Sequence, residues 1–259
     1  MVIISRKMRM ALFLCLLPLC LRAQPREPVE GYLALSRQVV VVTAADWTAT
    51  KGSLQRFEFE RGHWQPVGPV LPVVLGSNGL GWGAGLHTNN VRDPQKRDGD
   101  GRSPAGVFRL PYCFGYAPPD EVRIIRMPYI QCTGRVDCVE DTNSTYYNIV
   151  KDRLTAEVID WKKAEPMRLA DEQYRLGVFV ENNCNPSLPG FGACIFLHIW
   201  KGPGETTKGG TGMKLGAMES LVGWLDPRSN PLLVQLPLAE YRRYEAAWHL
   251  PPLPVFKNP

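Results

Sequence analysis

The apolar positions of this chain fall mostly in short continuous or alternating runs rather than in the three- and four-residue steps of a helix. That pattern predicts a mainly β protein with a few helices. Residues 38–43 read Gln-Val-Val-Val-Val-Thr, a β-branched run too continuous for a half-exposed helix, and predict a buried strand. Residues 54–60 alternate, as does part of 107–110, while 122–130, 176–180, 194–200 and 232–236 are further strand candidates. Helical spacing is clear at 213–225, where Met213, Leu215, Met218, Leu221, Val222 and Leu225 recur at three- and four-residue steps. A second helix is predicted over 238–248, and the mixed stretch 144–175 reads as a helical insertion. Glycine and proline mark nearly every junction. With no repeat, long linker or charge block, the pattern predicts one domain over 30–259.

Composition narrows the classes. A chain of 259 residues that is 44% hydrophobic and 21% charged can bury a sizeable core, which excludes disorder. The formal charge is +5, but Arg6, Lys7, Arg9 and Arg22 lie in a first segment, 1–23, that holds no acid. The remainder carries 26 bases against 25 acids, so nothing argues for nucleic acid as a partner. That first segment has a basic head, an apolar run over 11–21 and the small Ala23 before Gln24, the order of a secretory signal. Removal near Ala23 and export to the periplasm or beyond are expected. No apolar run reaches the roughly 18 residues of a bilayer span, so no integral span is expected once the signal is removed.

Five of the seven cysteines lie beyond residue 23, an odd number for an oxidising compartment. Cys132 with Cys138, and Cys184 with Cys194, are close enough in sequence to close short loops, although spacing selects neither pair; Cys113 completes the set. No two cysteines show the Cys-x-x-Cys spacing of a structural zinc site, so no metal is expected. Asp98 and Asp100 alternate with glycine, but Arg102 stands where a calcium loop needs its third ligand, and a tight loop is the better reading.

The stretch 194–218 carries the chemistry. His198 stands in an apolar strand and is followed by a glycine-rich loop and a helix start, an arrangement that presents a side chain at a strand edge beside unpaired backbone N–H donors. The block from Phe196 through Leu197-His198-Ile199-Trp200-Lys201-Gly202-Pro203-Gly204, with Thr207-Lys208-Gly209-Gly210-Thr211-Gly212-Met213 after it, resembles the catalytic block of L,D-transpeptidases of the YkuD type. Gly99-Asp100-Gly101-Arg102-Ser103-Pro104-Ala105-Gly106 and Tyr146-Tyr147-Asn148 are similar to two further recurrent segments, in the same order along the chain.

The resemblance implies an L,D-transpeptidase-like β-sandwich or sheet domain, peptidoglycan stem peptides as partners, and no cofactor. In the family's reaction a cysteine thiolate attacks a stem-peptide carbonyl, and an amine of a neighbouring stem resolves the thioester. His198 takes the place of the base, and Gly209 and Thr211 that of the backbone donors to the oxyanion. Arg102, Trp200, Thr207 and Asn183 fall along the substrate groove.

The nucleophile itself is absent, because its position falls on Gly210. No neighbour is a ready substitute. On one strand Cys194 and His198 would be separated by about 13 Å. Thr211 is adjacent to the vacancy, but its hydroxyl is far harder to ionise than a thiol. Asn182 stands where the resemblance leads one to expect a histidine, a second departure. The sequence therefore predicts an exported wall protein that is catalytically impaired. An active enzyme with an unusual nucleophile and a non-catalytic binding module are the alternatives.

Overall fold

The computed structural model describes residues 28–88 and 92–253. The predicted signal segment lies outside the described residues. Helix α1 (Val29–Leu35) leads into strands β1 (Gln38–Ala44), β2 (Lys51–Glu60), β3 (His63–Val74), β4 (Leu80–Trp82), β5 (Ser103–Arg109) and β6 (Cys113–Gly115). Short strands β7 (Tyr129–Gln131), β8 (Val136–Val139), β9 (Val150–Asp152) and β10 (Ala164–Pro166) follow. The chain ends with β11 (Leu176–Phe179), β12 (Phe196–Ile199), β13 (Thr211–Met213), α2 (Leu215–Trp224), β14 (Leu232–Pro237) and α3 (Leu238–Tyr244).

The molecule is mainly β. An eleven-stranded mixed sheet runs β4-β5-β14-β1-β2-β3-β13-β12-β11-β6-β7, and a three-stranded sheet runs β10-β8-β9. The valine run of β1 sits mid-sheet, parallel to β14 and antiparallel to β2, and its four valines are buried, as a strand covered on both faces requires. The β2–β3 hairpin turns through Arg61 and Gly62, both at positive φ, which suits the right-handed twist of the strands. β3 contains Pro66, Pro69 and Pro72. Only Val74 at its end pairs with β13, so most of its length has a free side where a missing N–H costs nothing. No helix of the described residues is long and apolar enough to cross a membrane.

Several expectations need correction. Of 122–130, only its last two residues enter a strand, β7; the preceding residues form turns after a short 3-10 helix at Pro119–Glu121. The stretch 144–175 holds no helix; it supplies β9 and β10 of the small sheet. Its turns are held by aspartates: Asp141 accepts from the backbone N–H of Lys162, Asp152 from that of Leu154, and Asp160 from that of Thr145. Such side-chain turns compete with helix. Met213 closes β13, so α2 begins at Leu215, and α3 stops at Tyr244 rather than 248.

The large sheet buries two clusters. The larger covers both faces of its middle strands, with residues of β1, β5 and β14, and continues along one face of β11–β13 through Val178, Leu197 and Met213 to the inward side of α2 (Met218, Leu221, Val222). The smaller lies on the other face of β6, β11 and β12, where Phe114, Tyr174, Phe179 and Phe196 pack against Val136, Cys138 and Met167 of the small sheet and its exit.

Candidate functional site

The site lies where β12 runs parallel to β13. The register sets His198 opposite Gly212 and opposite Gly177 of β11, so His198 shares its face with Phe196 and with Phe114, which also lies opposite Gly177. Its neighbours Leu197 and Thr211 point to the other, aliphatic side. The imidazole is 5% exposed, and Tyr174 meets it edge to face at 5.6 Å between ring centres. The Tyr174 hydroxyl donates to Glu165 Oε1 at 2.7 Å, and burial pushes that carboxyl above its usual range.

The tautomer of His198 follows from one contact. Nδ1 lies 2.9 Å from the carbonyl oxygen of Ile199. A carbonyl only accepts, so Nδ1 carries the proton and Nε2 of the neutral ring keeps its lone pair. Burial holds the pKa of the ring below its ordinary value, against the opposing pull of the Ile199 bond and the Asp171 carboxylate. The side chain is thus a neutral imidazole with its basic nitrogen turned toward residue 210.

What it meets there is a bare Cα. A Cβ added at Gly210 would stand 2.8 Å from Nε2, 2.7 Å from Cδ2 and 2.8 Å from the Phe196 carbonyl oxygen, closer than real Cβ atoms come. With this ring position only glycine fits at 210. The loop is braced around it: the hydroxyls of Ser103 and Thr207 each donate to the Gly210 carbonyl at 2.6 Å. Ser103 in turn accepts the Gly76 N–H at 2.9 Å.

Among the described residues, no sulfur is one of the atoms nearest a Cβ placed on Gly210. Cys194 is bonded to Cys138, 56 residues away, which overturns both short-loop pairings and ties the small sheet to the approach of β12. Cys194 is also not in the strand: its φ is 57°, and β12 starts only at Phe196. Cys113 lies in the aliphatic core, opposite Val178, on the far side of the sheet from His198. Cys132 is buried beside the Ile130 and Gly115 backbone, and Cys184 lies against Asn148 and the Asn182 carbonyl. Burial pushes all three thiols up to about 12, so none is a thiolate at neutral pH. Thr211 is 2% exposed, and its hydroxyl donates to Gln235 at 2.7 Å across the aliphatic core, away from His198.

Of the other residues singled out in the sequence, Trp200 shares the His198 face, half-buried beside Gly212. Thr207 is close but buried, braced on Gly210 and accepting the Gly209 N–H at 3.2 Å, so that donor is already engaged. Arg102 brings its backbone near Gly209, yet its guanidinium turns away to the carbonyls of Asn78 and Leu80. Asn183 is 1% exposed and holds the 183–192 loop through Leu188 and Gly192. Asn182 is wholly buried and bridges Ala84 to Phe191 and Gly192.

Residues that sequence reasoning missed complete the surroundings. Tyr174 and Glu165 come from a stretch read as helical. Lys96 is almost wholly buried, bonded to Asp100 and the Arg97 carbonyl, with Nζ 3.8 Å from a Cβ placed on Gly209. No motif marks Lys96; its partner Asp100 lies in the Gly99–Gly106 segment.

Chemically, His198 can accept a proton or a hydrogen bond at Nε2. Comparison with protein-family models, curated proteins and solved structures finds no match to this chain.

Proposed function

We propose that this chain is an exported protein of L,D-transpeptidase-type architecture that binds peptidoglycan stem peptides and performs no acyl transfer. The observation that carries the reading is the contact between His198 and Gly210: a base with its Nε2 lone pair directed at the one position that would need a sulfur. The ordered series of segments around Arg102, Tyr147, His198 and Thr207 supports the choice of ligand. Trp200 and the exposed loop 203–206 offer contact area beside the vacancy.

Co-sedimentation with purified sacculi tests the binding. The chain is expected in the pellet, and Trp200→Ala, which alters a half-buried ring on the site face, is expected to shift it toward the supernatant. A wild-type chain that stays in the supernatant contradicts the reading.

A further inference from the structure

A depression lies on the opposite side of the small sheet and makes no use of His198. The register of β8 and β10 pairs Cys138 with Glu165, and Asp137 with Pro166. Cys138 and Glu165 face the large sheet, through the disulfide and the Tyr174 bond. Asp137, Ala164 and Pro166 therefore face away. There they line a solvent-open depression of about 320 Å³ together with Arg153, Ile159, Trp161 and Lys162. Its volume is at the lower end of the range for small-ligand sites.

The floor of this depression is organised by one buried acid. Asp137 is 3% exposed, and its Oδ2 accepts from Arg153 Nε at 2.7 Å and from the indole Nε1 of Trp161 at 3.1 Å. Its Oδ2 is thereby paired with one cation and one indole N–H, and both planar groups are fixed in orientation. Neither terminal nitrogen of Arg153 has a hydrogen-bond partner among the described residues, and the Lys162 ammonium has none either. Two cations against one acid leave the lining with a surplus positive charge. The remaining walls, Ile159, Ala164 and Pro166, are apolar, and Ile159 is exposed. A guanidinium already held at Nε offers its remaining N–H groups as a fork, the geometry that carboxylates accept in two parallel bonds.

We propose that this depression binds a carboxylate that carries a small apolar group, with Arg153 and Lys162 taking the carboxylate and Ile159, Trp161 and Pro166 taking the apolar part. Such a ligand is either a free carboxylic acid or the C-terminal residue of a peptide.

The test follows the Trp161 indole N–H by NMR in the full chain, its resonance identified by loss in Trp161→Phe. The probes are 4-methylpentanoate, N-acetyl-leucine and N-acetyl-leucinamide, each raised into the millimolar range. Both carboxylates are expected to shift the resonance, and the amide is expected to leave it in place. Tighter binding of N-acetyl-leucine assigns the site to peptide C-termini, and equal binding assigns it to free acids. Arg153→Lys keeps the charge but loses the fork, and is expected to weaken binding about tenfold. Lys162→Ala leaves the Asp137 floor intact and is expected to weaken it several-fold. No shift with either carboxylate, an equal shift with the amide, or binding unchanged in both variants overturns the proposal.

Discussion

The two faces of β12 follow different rules. Leu197 enters the main core beside Val178, Met213 and the inward face of α2, a cluster that gathers aliphatic and aromatic side chains from strands, helices and loops alike. One residue on, His198 enters a face of aromatic rings, a disulfide and glycines at 210 and 212, where neighbours are chosen for approach rather than volume. The first face makes the fold, and the second sets an imidazole against a bare Cα. The difference teaches that a face built for close approach is held by hydrogen bonds rather than by volume: the Ile199 carbonyl sets the tautomer of His198, and two hydroxyls brace Gly210.

The largest expected effect lies on the aliphatic face. Leu197→Ala removes a fully buried side chain and is expected to cost about 2–5 kcal/mol in urea unfolding. A smaller loss would mean that the aliphatic face is looser than its burial indicates.

Gly210→Ala probes the site face by overfilling it. The added carbon meets both the imidazole and the Phe196 carbonyl, so a loss of about 1–3 kcal/mol is expected in the same measurement. Neutral or improved stability would show that the ring can swing aside freely, leaving room for a side chain.

The smallest effect sharpens the comparison through pH. In the folded chain burial depresses the His198 pKa, whereas the unfolded chain binds a proton at about 6.5. Below that pH the unfolded state holds more protons, so the stability owed to the neutral ring is present above about pH 6.5 and is lost as pH falls. Glu165, whose carboxyl burial raises, contributes with the opposite sign: it favours the folded state at low pH and loses that effect as pH rises. His198→Gln is therefore expected to flatten the decline in stability between about pH 7 and about pH 5, as read by unfolding at each pH. An unchanged slope would contradict a buried neutral imidazole.

The same contrast explains what was legible in the sequence. The valine run of β1 and the spacing of Met218, Leu221 and Val222 announce burial, because periodicity reports packing against a face. β3 was hidden by its three prolines, which a largely unpaired strand side tolerates and a local rule does not anticipate. On the site face, His198 and Gly210 were visible only through the ordered segments around them. Tyr174, Glu165 and the Cys138–Cys194 bond were not visible, because they join chain segments that only the tertiary fold brings together. Arg102 and Asn183 show the converse: residues in motif positions whose side chains are spent holding loops.

The central claim is that His198 is an intact base with no nucleophile to serve. Intact-mass spectrometry of the wild-type chain after exposure to a carbapenem, an acylating β-lactam, tests it most directly. The account predicts an unchanged mass; a covalent adduct on the unmodified chain would contradict it.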